Sequence, residues 1–335
     1  MKTRVNPFAP VYRACNERPW QDKVRDLPGA PTHVDVELTN RCNFRCLMCA
    51  TRVRRERKGQ GDMAEAVFDK LAAECATLAI PMRVIGWGEP TLHPKWLALL
   101  GRAKAKGIML HFCTNGGRIT EAEMAALIDM GLESMKFSFQ GLDAAGYREM
   151  RNTDFFEALT AKVRRFAELR GERDLPFLHV STTITNETPA QVQAFEQKLG
   201  RYADLVTVGR TFFDTVDLED CDYSAEERAR LDRLKGTQSV VKAHPAFCPE
   251  VFDKLTVNFD GTVSACCRDF DHQMLAGELA AMSLVDCWNS AAMRGYRALL
   301  AERRYEALPL CRTCYDYMGL TLPGLQDPDR AGDKA

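Results

Sequence analysis

Residues 41–49 read Arg-Cys-Asn-Phe-Arg-Cys-Leu-Met-Cys, and this stretch decides how the rest of the chain is interpreted. Its cysteines, Cys42, Cys46 and Cys49, follow a strand-like run at residues 34–38 and have the spacing C-x3-C-x2-C. Three thiolates on one short loop can ligate three irons of a [4Fe–4S] cluster and leave the fourth iron open to a cosubstrate. A structural zinc site is the alternative, but such sites use four protein ligands and this loop offers three. The spacing therefore favours an open iron–sulfur cluster.

A glycine motif follows one predicted strand and one predicted helix later. The apolar run at residues 82–85 leads into Gly86-Trp87-Gly88-Glu89-Pro90. Glycines allow a backbone to approach a ligand closely, and an exposed carboxylate can accept a hydrogen bond from an ammonium group. A Gly-x-Gly-Glu turn alone is weak evidence, but its position after the cysteine loop makes the combination specific. Together the two motifs resemble those of the radical S-adenosylmethionine (SAM) superfamily.

This resemblance implies a cofactor and residues that bind it. The open iron would chelate the amino and carboxylate groups of SAM. One electron from a flavodoxin or a ferredoxin would then cleave SAM to a 5′-deoxyadenosyl radical. The motif formed by Gly86, Gly88, Glu89 and Pro90 would hold the amino group of SAM. Met48 replaces the aromatic residue often found before the last cysteine, which implies a contact to adenine through the backbone only.

Strand-like and helix-like segments alternate from residue 34 to about residue 210, which is typical of a parallel sheet covered by helices. Six strands are too few for a closed eight-stranded barrel. The resemblance implies an α/β fold with a partial (β/α)6 barrel and reactive groups at the carboxyl ends of the strands. Strands are predicted at residues 34–38, 82–85, 109–113, 134–139, 177–184 and 205–208. Helices are predicted at residues 63–78, 94–106, 121–130, 155–169 and 189–199.

Polar residues follow several of the predicted strands. Thr114 and Asn115 come after the third strand. Because side chains alternate along a strand, Ser138 and Gln140 share one face of the fourth strand. They would point to the barrel mouth, where members of the superfamily contact the ribose or carboxylate of SAM, unless they merely close the strand. Arg210 follows the sixth strand and could hold a carboxylate or a substrate oxygen through its planar guanidinium.

A second set of cysteines lies in the last third of the chain: Cys248, Cys266, Cys311 and Cys314. An Asp-Gly pair between two alternating runs at residues 255–266 predicts a β-hairpin. Four thiolates from the hairpin, the segment before it and the Cys-x2-Cys pair after it could fully ligate a second [4Fe–4S] cluster. A four-cysteine zinc ribbon is the alternative, although its two knuckles are usually both Cys-x2-Cys and only one is present here.

The second set is similar to the SPASM domain of radical SAM enzymes in its shortened, single-cluster form, called twitch. Its spacing looks like that of aminocyclitol dehydrogenases of the superfamily. Since adjacent strand residues point to opposite faces, only one of Cys266 and Cys267 can ligate the cluster, and the family pattern favours Cys266. Buried thiols are predicted for the remaining cysteines in ordinary positions, Cys15, Cys75, Cys113 and Cys287. The six histidines form no ligand pair and are predicted to be structural.

The chain of 335 residues suggests five segments: an N-terminal extension at 1–31, the barrel at 32–213, a connection at 214–245, the auxiliary domain at 246–320 and a disordered tail at 321–335. Its 45 basic and 46 acidic residues nearly balance, which gives no electrostatic case for a nucleic acid partner. No apolar run is long enough to span a bilayer or to act as a signal sequence. The sequence therefore predicts a cytoplasmic protein without membrane contact, in which cysteines are metal ligands or buried thiols.

The expected reaction begins with abstraction of a hydrogen atom from the substrate. The residues before the barrel are too few for a leader-recognition domain, and the cysteines suffice for one auxiliary cluster, so a small hydroxylated substrate such as a sugar or cyclitol is favoured over a peptide. Dehydrogenation suits a second cluster, which could accept an electron. Epimerisation would need a hydrogen donor, for which Cys221 in the predicted connection is the candidate, with an incidental loop cysteine as the alternative. A peptide maturase and a non-catalytic iron–sulfur carrier remain alternatives, but a carrier would not need residues 86–90.

Overall fold

The computed structural model describes residues 2–51, 59–211, 213, 221–237 and 248–314. The tail predicted at residues 321–335 and much of the predicted connection lie outside these ranges. No helix within them is both long and apolar enough to cross a membrane.

A single nine-stranded sheet runs through the described chain in the order β6-β5-β4-β3-β2-β1-β7-β8-β9. Strands β1 to β6 are parallel neighbours in sequence order, which confirms the α/β fold with a partial barrel. The strands are β1 His33–Val36, β2 Met82–Val84, β3 Leu110–Thr114, β4 Ser134–Ser138, β5 Phe177–Ile184, β6 Leu205–Arg210, β7 Lys254–Val257, β8 Thr262–Ser264 and β9 Leu275–Glu278.

Helices cover the outer face of the parallel strands, where alternate apolar residues such as Met135, Phe137 and Leu178 are fully buried. Capping boxes begin two of them, with Thr120 before the helix Glu121–Asp129 and Thr188 before the helix Pro189–Leu199. The helices are α1 Ala9–Asn16, α2 Trp20–Arg25, α3 Glu65–Leu78, α4 Trp96–Ala105, α5 Glu121–Asp129, α6 Ala144–Arg151, α7 Phe156–Arg170, α8 Pro189–Leu199, α9 Ala225–Thr237, α10 Glu250–Asp253, α11 Leu284–Trp288 and α12 Ala291–Ala301.

Helix α6 was not predicted from the sequence. Its segment is polar and contains Gly146, which lowers intrinsic helix propensity. The helix nevertheless has clear ends, because the Asp143 carboxylate accepts a hydrogen bond from the Gly146 amide at 2.8 Å and Asn152 adopts a positive φ of 54°. This short helix brings Arg151 to the candidate site described below.

The N-terminal residues pack against the amino ends of the barrel strands. Phe8 is fully buried, and its ring lies 5.7 Å from the ring of His111 at the beginning of β3. Lys23 is also buried and pairs with Asp253, directly before β7. The segment that the sequence suggested as an extension therefore covers the base of the barrel, opposite the strand ends that carry the predicted binding residues.

The predicted hairpin is present as β7 and β8, and Gly261 in its turn has the positive φ of 86° that favours glycine. Strand β7 also pairs in parallel with β1, so the auxiliary half continues the sheet of the barrel. Trp288 of α11 strengthens this junction, because its indole donates a hydrogen bond to the carbonyl of Pro28 at 2.7 Å. The second cysteine set is thus built on the strand next to the one that leads to the first.

Candidate functional site

The first cysteine loop follows β1 and is held by neighbouring elements at several points. The Leu47 amide donates a hydrogen bond to the Met150 carbonyl at 2.7 Å, and the Tyr223 hydroxyl donates one to the Leu47 carbonyl at 2.5 Å. Asn115 approaches the Cys42 thiol at 3.7 Å from its side-chain amide nitrogen. The loop is therefore fixed by helix α6, the residues before α9 and the end of β3.

The three thiols of this loop lie close enough to influence one another electrostatically. Burial raises the pKa of Cys42 to about 12, and the neighbouring Cys46 and Cys49 add to the increase. Burial likewise raises the pKa of Cys46. An iron centre must displace the protons of these thiols when it binds, and three clustered thiols are the donor set of a cluster with one open iron. The residues present thus fit an iron–sulfur cluster.

Arg151 is a functional candidate that the sequence analysis missed. Its guanidinium is buried and donates hydrogen bonds to the carbonyls of Ser138 and Phe139 at 2.9 and 3.0 Å. Although burial lowers it, the nearby Cys46, Tyr147 and Cys42 hold the pKa of Arg151 above its usual value. A fixed cation beside three thiolates would offset part of their negative charge. No sequence signal marked Arg151, because its proximity depends on the unpredicted helix α6.

Glu89 lies at the centre of the glycine motif, but it is buried and not exposed as the sequence suggested, with 2% of its surface accessible. One carboxylate oxygen accepts hydrogen bonds from the hydroxyls of Thr91 and Thr114 at 2.7 and 2.6 Å, and the other accepts one from the Asn115 amide at 2.7 Å. Burial raises the pKa of Glu89, and these donors oppose the shift. The structure brings Glu89, Thr114 and Asn115 together beside Cys42.

The two glycines of the motif allow a close chain approach. A side chain at Gly88 would bring a Cβ within 2.0 Å of the Thr39 carbonyl oxygen, and a Cβ at Gly86 would lie 2.7 Å from Glu37. Because these glycines have no side chains, the motif packs directly against the chain that leads into the cysteine loop. Pro90 begins a short 3-10 turn that Glu89 caps by accepting a hydrogen bond from the Thr91 amide. The motif geometry thus keeps Glu89 next to the first cysteine set.

The other predicted SAM contacts lie in different surroundings. The Ser138 hydroxyl is 3.2 Å from the Cys113 thiol at the ends of β4 and β3. Gln140 is buried, and its amide is hydrogen-bonded to Thr183 and Thr211 at the ends of β5 and β6. Arg210 ends β6 and is half-buried.

Met48 is half-buried in the cysteine loop and packs against a small apolar cluster. This cluster contains Leu47, Met150 and Tyr223, and it also contains Cys221. Cys221 is buried, with 5% of its surface accessible, so exposure does not mark it as a reactive thiol. Its role as a hydrogen donor remains a hypothesis of the epimerase alternative.

Charged side chains connect the inside of the barrel to the second cysteine set. Asp35 of β1 lies 3.3 Å from Arg83 of β2 and 3.1 Å from Lys254 of β7. Lys254 also pairs with Glu250 at 2.8 Å and approaches the Cys267 thiol at 3.5 Å. Although burial would raise it, Arg83 and Lys254 hold the pKa of Asp35 below its usual range. This chain of contacts crosses the junction between the two halves.

Cys266 and Cys267 lie beyond β8, which ends at Ser264. Their sulfur atoms and a Glu250 oxygen all fall within 4.8 Å of one another. The argument that alternation along a strand lets only one of them ligate is therefore wrong, because the two residues are in a turn. The family pattern still favours Cys266, and that assignment remains a prediction.

Two members of the second set, Cys311 and Cys314, follow this turn in the chain, and Cys248 precedes the hairpin. Cys311 is buried, and its thiol lies 3.9 Å from the sulfur of Met274. Asp269 braces the intervening loop by accepting hydrogen bonds from the amides of Gln273 and Met274 at 2.7 and 2.8 Å. Burial raises the pKa of Cys311 to about 12, with a further contribution from Cys314. A hydrogen bond with Cys267 and burial raise the pKa of Cys266, and Cys248 adds to the increase, so the set offers thiols from three elements.

The remaining cysteines and the described histidine contacts agree with structural roles. Buried thiols are confirmed at Cys15, Cys75, Cys113 and Cys287. His111 is hydrogen-bonded to Ser134, and His179 is hydrogen-bonded to Thr207.

Comparisons with known protein families identify both the barrel and the auxiliary half that carries the second cysteine set. The family model of the radical SAM superfamily matches residues 36–199. The chain belongs to the radical SAM superfamily. A second family model, the SPASM iron–sulfur cluster-binding domain, matches residues 248–315 and includes all four cysteines of the second set. Radical SAM and SPASM domains together imply SAM and two [4Fe–4S] clusters, which confirms the predicted cofactors.

Two curated proteins show the range of relatives of this radical SAM chain. The tungsten-containing aldehyde ferredoxin oxidoreductase cofactor-modifying protein of Pyrococcus furiosus is 27% identical over 50% of this chain and 46% of its own length. The PqqA peptide cyclase of Rhodopseudomonas palustris is 29% identical over 65% of this chain and 59% of its own length. This chain thus spans about half to three-fifths of the length of these relatives.

Solved structures share the fold. BtrN in complex with AdoMet and 2-DOIA has a TM-score of 0.54 and 18% identity, covering 84% of this chain and 92% of BtrN. SuiB of Streptococcus suis bound to S-adenosylmethionine has a TM-score of 0.65 and 14% identity, covering 92% of this chain and 78% of SuiB. At these identities the similarity establishes the architecture of this radical SAM enzyme but not its substrate.

Proposed function

We propose that this radical SAM enzyme removes two electrons and two protons from a hydroxylated small molecule of the sugar or cyclitol type, converting a secondary alcohol to a ketone. When bound, SAM and the first cluster supply the 5′-deoxyadenosyl radical that takes the carbinol hydrogen atom. The resulting substrate radical must lose its hydroxyl proton and one more electron. The second cluster is the proposed electron acceptor, and a flavodoxin or ferredoxin is the proposed external electron donor.

The observation that carries this proposal is the position of the second cysteine set next to the barrel. Strand β7 pairs with β1, and Lys254 at its beginning contacts both Asp35 inside the barrel and Cys267 beside the second set. In this proposal an electron acceptor placed there receives the electron from the barrel interior, opposite the strand ends that hold SAM. Epimerisation, which returns a hydrogen atom to the substrate, has no need of such an acceptor.

The residues of the first site have distinct proposed roles. Glu89 would accept a hydrogen bond from the amino group of SAM. Its carboxylate lies beside Cys42 and is already oriented by hydrogen bonds from Thr114 and Asn115. Gly86, Gly88 and Pro90 would shape the backbone around that group. Ser138, Gln140 and Arg210, at or just beyond the strand ends, would complete the surroundings of SAM, and Met48 would face adenine through its backbone.

Product analysis tests the proposed oxidation. The anaerobically reconstituted enzyme, SAM and a reductant are incubated with sugars and cyclitols, and 5′-deoxyadenosine and substrate-derived products are quantified by mass spectrometry. We expect a product about two mass units lighter than its substrate, formed one for one with 5′-deoxyadenosine. The variant with Cys42, Cys46 and Cys49 all replaced by Ala is the control and should form neither compound.

The same assay in deuterium oxide distinguishes epimerisation. An isomeric product that carries solvent deuterium at the inverted carbon would contradict dehydrogenation. In that case Cys221→Ala should stop the reaction after hydrogen abstraction if Cys221 is the donor. Cys221 is buried beside Leu47 of the cysteine loop, which places it near the first site but limits its access to solvent.

Peptide modification is the second candidate, and the similarity to PqqA peptide cyclases favours it. Short peptides encoded beside the gene are the substrates to test. A peptide that loses about two mass units by forming an internal crosslink, with no oxidation of sugars or cyclitols, would replace the small-molecule proposal.

A further inference from the structure

Lys136 stands in the middle of β4, on the face that points into the barrel. Its strand neighbours Met135 and Phe137 are fully buried in the core under the helices, so Lys136 lies on the opposite face. In the sheet it is paired with Cys113 of β3 and His179 of β5. The side chain is half-buried, two residues below Ser138 at the rim.

Two other cations inside the barrel have carboxylate partners. Arg83 pairs with Asp35, and Lys254 pairs with both Asp35 and Glu250. Lys136, in contrast, forms no ion pair or side-chain hydrogen bond with any residue in the described ranges. A half-buried ammonium loses part of its hydration, and a partner normally compensates for that loss.

Among the described residues, those beside Lys136 on the neighbouring strands are uncharged near pH 7. His179 is hydrogen-bonded to the hydroxyl of Thr207, and burial, Lys136 and Arg83 together lower its pKa to about 3. Burial and Lys136 also keep the pKa of His111 well below its usual value. Both imidazoles are therefore neutral near pH 7, and Cys113 and Ser138 bring a thiol and a hydroxyl that are hydrogen-bonded to each other. Within the described part of the chain, Lys136 is thus a positive charge among neutral polar side chains.

We propose that Lys136 binds an anionic group, a carboxylate or a phosphate, on the small-molecule substrate. This inference rests on the proposed function and narrows the substrate class from neutral sugars and cyclitols to acidic or phosphorylated ones. An ammonium recognises either anion as a compact charge with three donors.

The carboxylate of SAM is a second possible source of the anion, and position argues against it. The predicted SAM contacts lie at the strand ends, where Glu89, Thr114 and Asn115 converge. Lys136 lies deeper, level with Cys113 and His179. The assignment to the substrate requires that Lys136 variants bind SAM normally.

Equilibrium dialysis of the anaerobically reconstituted holoenzyme, saturated with SAM, tests the proposal without turnover. Radiolabelled inorganic phosphate and acetate are the probes for the two kinds of anion. We expect Lys136→Met and Lys136→Gln to weaken binding of at least one probe about tenfold or more, whereas Lys136→Arg retains it, because a charge-assisted hydrogen bond is lost only in the first two. Lys106→Met, at an exposed lysine, is the matched control and should bind like the unmodified enzyme.

The relative loss for phosphate and acetate identifies which anion the site accepts. The proposal would be overturned if the Lys136→Met and Lys136→Gln variants bound each probe as tightly as the unmodified enzyme does. It would also be overturned if the unmodified enzyme bound neither probe. Weakened SAM binding in these variants would also overturn it in favour of the SAM carboxylate. None of these results depends on the oxidation, so a failure here is distinct from a failure of the proposed function.

Discussion

At the scale of single residues, chemical identity was easier to predict from the sequence than environment. The spacing of the motifs marked Glu89, but the donors that surround it come from Thr91 and from Thr114 and Asn115 on the next strand. Arg151 had no signal of its own, although its guanidinium lies among the thiols of the first loop. Both environments arise from contacts between elements, which residue type and local spacing do not specify.

Replacing Glu89 with Gln should weaken SAM binding and leave both clusters intact. The substitution keeps the side-chain shape but removes the charge that would hold an ammonium, and bonds to charged groups contribute about 1.5–3 kcal/mol, or at least tenfold in affinity. The dissociation constant of SAM and the iron content are the measurements. Glu157→Gln, at an exposed glutamate, is the control. Unchanged SAM affinity in Glu89→Gln would argue against the assigned role.

Replacing Arg151 with Met should make the first cluster harder to reduce. A buried cation close to the thiolates stabilises the more negative, reduced state, and the net charge around a cluster is one determinant of its potential. An EPR-monitored redox titration should show a lower potential for Arg151→Met and a smaller change for Arg151→Lys, which retains the charge. An unchanged potential in Arg151→Met would mean that Arg151 only supports the backbone at Ser138 and Phe139.

At the scale of elements, periodicity predicted the six parallel strands and the helices between them, because those segments bury one continuous apolar face. The Asp-Gly signal also predicted the hairpin. The prediction failed where a regular element ended, since β8 stops at Ser264 and the alternation argument was extended to Cys266 and Cys267. It also failed at α6, whose ends are defined by Asp143 and Asn152 more than by apolar periodicity.

The residues before α9 stabilise the first cysteine loop, and Tyr223→Phe should expose this role. The Tyr223 hydroxyl bonds the Leu47 carbonyl, and its loss should cost about 1 kcal/mol and loosen the loop between Cys46 and Cys49. Faster loss of the SAM-binding cluster to an iron chelator, followed by EPR, is the expected result. Tyr296→Phe is a matched control because its hydroxyl bonds the Leu275 carbonyl in the other half. Equal rates in both variants would contradict the role of Tyr223.

At the scale of the whole molecule, one sheet carries both cysteine sets. The first follows β1, and the second includes Cys266, just beyond β8 of the hairpin whose β7 pairs with β1. The sequence predicted the two sets but not this pairing, because parallel contacts between strands so far apart leave no local pattern. The same is true of the N-terminal residues, whose packing at the barrel base depends on contacts such as those of Phe8 with His111 and Lys23 with Asp253.

Because the two sets are on different elements of that sheet, each cluster should form without the other. The unmodified chain should bind about eight irons after anaerobic reconstitution, since each of two cubes holds four. Replacing Cys42, Cys46 and Cys49 with Ala should leave about four irons and abolish SAM cleavage. Replacing Cys248, Cys266, Cys311 and Cys314 with Ala should also leave about four, but SAM cleavage should persist.

Iron and zinc analysis of the same samples, with EPR of the reduced protein, provides the check. Zinc in the purified protein at either set would contradict the cluster assignment. Loss of nearly all iron in the variant that lacks Cys42, Cys46 and Cys49 would give a different result. It would show that the hairpin half binds its cluster only when the barrel loop already holds the first cluster. That outcome would contradict independent formation of the two clusters despite their separate cysteines. The shared pairing of β1 with β7 would then be the route by which one site stabilises the other.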